Sequence, residues 1–286
     1  MNIVGLGQAG CAVADSFSKY PQYNTYRLDS GLKRTATTCP IPKNDSHEAY
    51  DKNSPRLKTF ISEMNDSKEV LFIMAGSGAV TGASLRVLQE LNERFAIHVL
   101  YIKPDSSLLN GLGYLQDRLC YRVLQEYARS GVFESICLVS NPHMEEVMGE
   151  VPVIGYYDQL NDLLSSVLHM INVFKHTESV IETSGELAEH VRIYTIGTLD
   201  IESGEQKLFF PLNKISDKCY YYGIKKEDLE NDGKLFRRIK DQVRGFSAEE
   251  TSVSYSIHST TYGENFVYFA AYSPAIQIFP EKVLDI

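Results

Sequence analysis

Tryptophan is absent from this 286-residue chain, so an aromatic content of 11% rests on 18 Tyr and 13 Phe. Cysteine is sparse: Cys11, Cys39, Cys120, Cys137 and Cys219 are odd in number and form no C-x-x-C pair. That spacing argues against a zinc site and against a disulfide framework, and reduced thiols point to a cytoplasmic chain. No apolar run approaches the roughly 18 residues of a membrane span, and the N-terminus reads directly as a strand rather than as a leader peptide. A membrane is therefore not an expected partner. Positive charge is in deficit: 28 Lys and Arg against 37 Asp and Glu give a formal net charge of -9. A direct nucleic-acid partner is not expected from that balance. The seven His residues show no metal-ligand spacing, and there is no internal repeat or low-complexity tract.

What is present is an ordinary globular composition, 43% hydrophobic and 23% charged, at a length that suits one large or two medium domains. In the first half, short apolar runs alternate with segments of helical spacing. "NIVGLG", "NTYRLDS", "EVLFIMAGS", "IHVLYIKP" and "SICLVSN" read as strands. "QAGCAVADSFSKY", "LKTFISEM", "TGASLRVLQELNERF" and "LQDRLCYRVLQEYARSG" read as helices, and residues 38–56 as a polar loop. Alternation of this kind predicts an α/β fold with a parallel sheet, and ligands outside the carboxyl ends of its strands. Residues 158–175 predict a long helix with apolar residues on more than one face, as for a helix between two layers. Beyond it, Tyr-, Val- and Ile-rich strands surround one clear helix, "GKLFRRIKDQVRGF". The reading is therefore a first domain over 1–175, including the long helix, and a smaller α+β domain over 176–286.

Two stretches carry chemistry. The first strand of "IVGLGQAGCAVADSF", residues 3–17, runs into Gly5-x-Gly7-x-x-Gly10 and a helix, and Asp29 ends the second strand about 20 residues on. This fits the dinucleotide fingerprint, in which glycines let the backbone approach a pyrophosphate and the acid meets a ribose. A second turn follows "VLFIMA": Gly76-Ser77-Gly78-Ala79-Val80-Thr81-Gly82, with a helix beginning inside it. Helix N-termini offer free amides and about half a positive charge to an anion. One dinucleotide pyrophosphate needs one such turn, whereas a triphosphate can be gripped from both sides. No Gly-Lys-Ser or Gly-Lys-Thr follows either turn, so neither is a Walker loop.

This pair of turns resembles the tubulin/FtsZ superfamily. "GQAG", Gly7–Gly10, matches its first loop, and "GAVTGAS", Gly78–Ser84, matches the signature GGGTG followed by Ser, Ala or Thr and a Gly. The first Gly, the Thr and the next Gly are kept, while Ala79, Val80 and Ser84 replace glycines. "IHVLYIKP" and "ESICLVSNPHMEEV" resemble later stretches in the same order, and "YDQLNDLL" resembles the start of the central helix. The resemblance implies GTP with Mg²⁺ as cofactors and a self-partnered, head-to-tail homopolymer. It implies α- and β-phosphates held by the backbone of Gly7, Gln8, Ala9, Gly10 and Cys11, with Asp29 beside them. Terminal phosphates would meet Gly76, Ser77, Gly78, Ala79, Val80, Thr81 and Gly82. Arg118 matches the arginine placed against ribose and phosphate. Tyr157 would stack on guanine, and Asn161, one turn on, would read its edge.

The chain also departs from the pattern. The loop that usually senses the γ-phosphate is replaced by "IPKNDSHEAYDKNS", and the acidic NxDxxD loop by "SVIETSGELAEH". Glu182 and Glu186, four apart, are the residues expected to polarise water in a neighbouring subunit's site; Glu189 is a further candidate. Two other readings stand beside a polymerising GTPase. One is a non-polymerising, catalytically degenerate nucleotide binder with a regulatory or structural role; an unidentified adaptor is a further candidate partner beside self-assembly. The other is an NAD-dependent oxidoreductase using Gly5–Gly10 and Asp29.

Overall fold

The first strand, β1 (Asn2–Leu6), is buried along its whole length, as expected of a central strand covered on both faces. The computed structural model describes residues 1–183, 185, 187–247 and 251–278. β1 passes without a loop into α1 (Gly7–Ser16), and a short 3-10 turn leads to β2 (Asn24–Asp29). Then come β3 (Thr38–Pro40), α2 (His47–Lys52), α3 (Lys58–Glu63), β4 (Glu69–Ala75), a 3-10 turn over Ala79–Ala83, and α4 (Ser84–Asn92). β5 (Ala96–Lys103), α5 (Gly111–Arg129), β6 (Ser135–Ser140) and α6 (Asn141–Met148) complete the alternating half, closed by α7 (Tyr156–Lys175).

Six parallel strands lie in the order β3-β2-β1-β4-β5-β6. Helices cover both faces of this sheet. Val87, Leu88 and Leu91 of α4 and Leu124 of α5 join one core with Phe72 and Tyr101. Val13 and Ala14 of α1 and Leu160, Leu164 and Val167 of α7 join the other with Ile73 and Leu100. This is a doubly wound sheet, and its strand order reverses between β1 and β4, the switch point where such folds bind ligands.

The second half comprises β7 (Ile181–Glu182), β8 (Ile193–Leu199), β9 (Gln206–Leu208), β10 (Asp217–Lys225), α8 (Lys226–Asn231), α9 (Leu235–Phe246), β11 (Ser252–Thr260) and β12 (Phe266–Ser273). β8 pairs parallel to β6, and the same sheet continues through β12, β10 and β11 to β7. The apolar face of α9 supplies Leu235 and Ile239 to a third core with Tyr220, Tyr222 and Phe269.

The alternating pattern and the long helix are as read from the sequence, with α7 starting two residues earlier. The stretch 38–56 is not all loop. It contributes the edge strand β3 and the helix α2, whose Ser46 caps the N-terminus by accepting a hydrogen bond from the Ala49 amide at 3.1 Å.

Candidate nucleotide site

The two glycine turns leave neighbouring strands. Leu6 of β1 is in register with Met74 of β4, so Gly7 and Gly76 begin side by side at the switch point. Gly7 has φ +71°, a left-handed conformation reserved largely for glycine, and a Cβ built on it would lie 3.9 Å from the Cβ of Val80. The two turns are therefore in near contact. α1 has no side-chain cap; the first amides of a helix have no intrahelical acceptor, and here Gln8 and Ala9 are exposed at that end. Val80, in place of a glycine, is half-buried and packs in part against the core.

Within the second turn the roles divide. Gly78 and Ala79 are exposed, Ser77 and Val80 half-buried, and Gly76, Thr81 and Gly82 buried. The Thr81 hydroxyl turns inward, donating to the Gly78 carbonyl and lying 3.4 Å from His47 Nε2. Thr81 thus braces the turn. Gly82 rests directly on the His47 carbonyl, and Gly76 on the Tyr101 hydroxyl and Asp117 carboxylate, with no room for a Cβ at either. A groove of about 510 Å³, lined in part by Leu85, Leu119 and Cys120, lies behind this turn between α2, α4 and α5.

Around the crevice, Asp29 ends β2 next to β1, and its Oδ1 accepts from the Ser30 amide at 2.7 Å. Burial raises its carboxyl above the usual range. The Cys11 thiol points down, 3.4 Å from the Gly5 carbonyl, and burial pushes it up to about 12. That is the setting of an inert packing thiol, so only the Cys11 backbone faces the turn. Tyr157 is 61% exposed at the start of α7, its ring edge-on to Tyr156 at 5.1 Å. Asn161 follows one turn later, half-buried. Arg118 is exposed on α5, next to the buried Asp117.

Sequence reasoning missed several residues. Tyr156 Oη donates to Glu145 Oε2 at 2.7 Å, tying α6 to α7. Asp105, just past β5, is an electrostatic neighbour of Tyr156. Lys103 and Asp117 form a buried ion pair. The only sequence signal for that pair was a charged residue inside an apolar strand.

The acids lie elsewhere. Glu182 sits on β7, paired with Ser256 of β11, and accepts from Ser179 Oγ at 2.9 Å. Glu189 precedes β8, where Arg192 donates to the Phe133 and Glu134 carbonyls at the entry of β6. Glu186 lies outside the described residues. The 20 residues of α7 separate Glu182 from Tyr157, about 30 Å along the axis. Glu182 and Glu189 are therefore remote from the glycine turns of their own chain. Among the described residues, no three His, Cys, Asp or Glu side chains are grouped to hold a metal ion, and no helix is long and apolar enough to cross a membrane.

No protein-family model matches the sequence, and no curated protein matches it either. Solved structures do. A GTPγS-form protofilament of TubZ from Bacillus thuringiensis serovar israelensis superposes with a TM-score of 0.66 at 15% identity, over 96% of this chain and 86% of that one. An FtsZ dimer from M. jannaschii gives 0.65 at 10% identity, over 95% and 87%. A GTPγS-bound protofilament of CetZ2 from Haloferax volcanii gives 0.66 at 13% identity, over 95% and 92%. At such identities the agreement is one of architecture, and it spans nearly every element described above. The chain has the fold of the tubulin/FtsZ superfamily.

Proposed function

We propose that the chain binds a guanine nucleotide in the crevice between its two glycine turns and assembles head to tail with copies of itself. The observation that carries this reading is the near contact of Gly7 and Val80 at the switch point of the sheet. It sets two uncapped, amide-rich turns against one small space, which suits a polyphosphate held from both sides. The free amides of Gly7, Gln8 and Ala9 hold the α- and β-phosphates, with Gly10 and Cys11 closing the turn behind them, and those of Gly76 to Val80 hold the terminal ones. Thr81 and Gly82 act by shaping the turn. The exposed ring of Tyr157 covers guanine, Asn161 reads its edge, and Arg118 and Asp29 flank the sugar and phosphates. Mg²⁺, when bound with the nucleotide, neutralises phosphate charge and is held mainly by phosphate and water oxygens.

Assembly follows from where the acids lie. Glu182 and Glu189 belong to the end of the chain remote from its own crevice. They reach a nucleotide only across a contact with another copy. A heterologous contact of this type propagates as an open filament, and hydrolysis there depends on the acids orienting water. The matched structures include protofilaments of TubZ and CetZ2, which supports the self-partnered reading.

A dinucleotide is the competing ligand, favoured by the strand order β3-β2-β1-β4-β5-β6 and by Asp29 at the end of β2. Right-angle light scattering of the purified chain with Mg²⁺ and GTP, GDP or NAD separates the readings. A rise with GTP alone is the expected result, and a decay tracking phosphate release would assign hydrolysis to the interface. A flat GTP trace, with calorimetric binding of GTP but no assembly, leaves the non-polymerising binder. Binding of NAD in place of GTP overturns the proposal.

A further inference from the structure

Asp117, on the second turn of α5, is almost fully buried, and both its carboxylate oxygens are occupied. The Tyr101 hydroxyl donates to Oδ1 at 2.7 Å, and the Lys103 ammonium donates to Oδ2. Side-chain exposures of the ion pair are 8% for Lys103 and 1% for Asp117. The Lys103 ammonium also lies 4.6 Å from the Tyr121 ring centroid, and the Tyr101 and Tyr121 rings are 5.6 Å apart. Tyr101 and Lys103 are among the last three residues of β5, next to the end of β4, since Ala75 is in register with Ile102. The cluster therefore sits beneath the first residue of the second glycine turn. A Cβ on Gly76 would strike the Tyr101 hydroxyl and the Asp117 carboxylate.

α5 holds the other end of that turn as well. One helical turn beyond Asp117, Cys120 Sγ lies 3.5 Å from His47 Nε2, the ring that also meets Thr81. Both ends of Gly76–Gly82 are thus fixed against α5, one directly and one through His47.

Stability alone does not explain an ion pair here. Apolar residues of similar volume generally serve a core as well or better, because desolvating two charges offsets their attraction. The location gives a different reason. An unpaired carboxylate beneath an anion-binding turn would repel a phosphate through low-dielectric surroundings. Lys103 cancels that charge while leaving Asp117 in place as the surface on which Gly76 rests.

We infer that Lys103, Asp117 and Tyr101 are positioning residues for the second glycine turn, setting its height and removing a repulsive charge under the terminal phosphate. This inference rests on the nucleotide reading above and adds which phosphate the cluster serves. The first turn grips the phosphates that GDP and GTP share, so the cluster acts on the ratio of their affinities.

The test is calorimetric binding of GTPγS and of GDP, each with Mg²⁺, to the full chain and its variants. Lys103→Met leaves Asp117 unpaired and is expected to weaken GTPγS about tenfold more than GDP. Lys103→Met combined with Asp117→Asn restores neutrality at nearly constant shape, and the ratio is expected to return to within about twofold of wild type. A purely structural role would lower the melting temperature and the active fraction of both variants without moving the ratio. Should Lys103→Met be too unstable to assay, Tyr101→Phe carries the same test. It keeps both charges, removes the hydroxyl that ties Asp117 under Gly76, and is expected to lower the ratio about threefold. An unchanged ratio in a folded, nucleotide-binding variant overturns this inference alone. A wild-type chain that binds neither nucleotide overturns the nucleotide reading and this inference together.

Discussion

Gly10→Ala tests whether the first turn is held as described, because two large effects of opposite sign meet there. Gly10 is the fourth residue of α1. In a free helix interior, alanine is better than glycine by about 1 kcal/mol. At Gly10 the added methyl would run into the Ile73 carbonyl oxygen of β4, with the Ile73 carbonyl carbon at 3.2 Å and the Gly5 carbonyl carbon at 3.5 Å. These are backbone atoms of two central strands, and no side-chain rotation clears them. Relief requires α1 to lift off the sheet, a distortion of the kind that costs about 1–3 kcal/mol or more. The net expectation is a loss of about 1–2 kcal/mol. Gly245, near the end of α9, is the internal control, since nothing lies within 4 Å of its built Cβ. Gly245→Ala should stabilise by about 0.5–1 kcal/mol. Urea unfolding reports both as midpoint shifts at constant slope, and GTPγS binding should weaken only in Gly10→Ala, whose lifted helix carries the Gly7–Gly10 amides away. Equal signs for the two variants, or a Gly10→Ala chain as stable as wild type, would refute the packing argument.

Three further outcomes are expected. If the acids act across a subunit contact, a Gly76→Ala chain and a Glu182→Ala/Glu186→Ala chain should each release little phosphate alone. Mixed equally, they should recover about a quarter of the wild-type rate, the share of contacts with both parts intact; a mixture no better than its components assigns the acids no such role. Burial pushes the Cys11 and Cys137 thiols up to about 12 and Cys120 to about 11. An aromatic disulfide reagent at pH 8 should therefore label these three slowly in the native chain and rapidly in urea, and fast native labelling of Cys11 would contradict its inward position. Burial also lowers His47, His98, His169 and His258 below the usual imidazole range. The unfolded chain then takes up protons near pH 6.5 before the folded one does. Stability should be level above about pH 7 and decline as pH falls through that unfolded-state value, read as the urea midpoint between pH 7.5 and 5.5. A midpoint that rises on acidification would reverse the assigned burial.

Much of this arrangement was legible in the residues. β1 and β4 are continuous apolar runs ending in glycines, and a strand covered on both faces leaves that trace. α7 announced itself by length and by apolar residues on several sides. α2 did not, because a six-residue helix in a polar, proline-flanked stretch has little propensity of its own. It persists because His47 seats against Gly82 and Tyr50 enters the core. The Lys103–Asp117 pair was equally hidden: the two residues are fourteen apart in sequence and meet only when α5 lies across β5. Thr81 was assigned to the ligand by its motif position, whereas its hydroxyl is spent on Gly78 and His47. A motif specifies that a turn closes, but not which of its polar atoms the closure consumes.

The sheet's two margins are short. β3 has three residues and ends in Pro40, and β7 has two. A strand needs a run of free amides and carbonyls to recruit another strand, and brief margins interrupted by proline deny it one. Sideways growth by strand addition is thereby suppressed at these two margins. The same economy of edge keeps a crowded pool of chains from condensing into sheet-bonded aggregates.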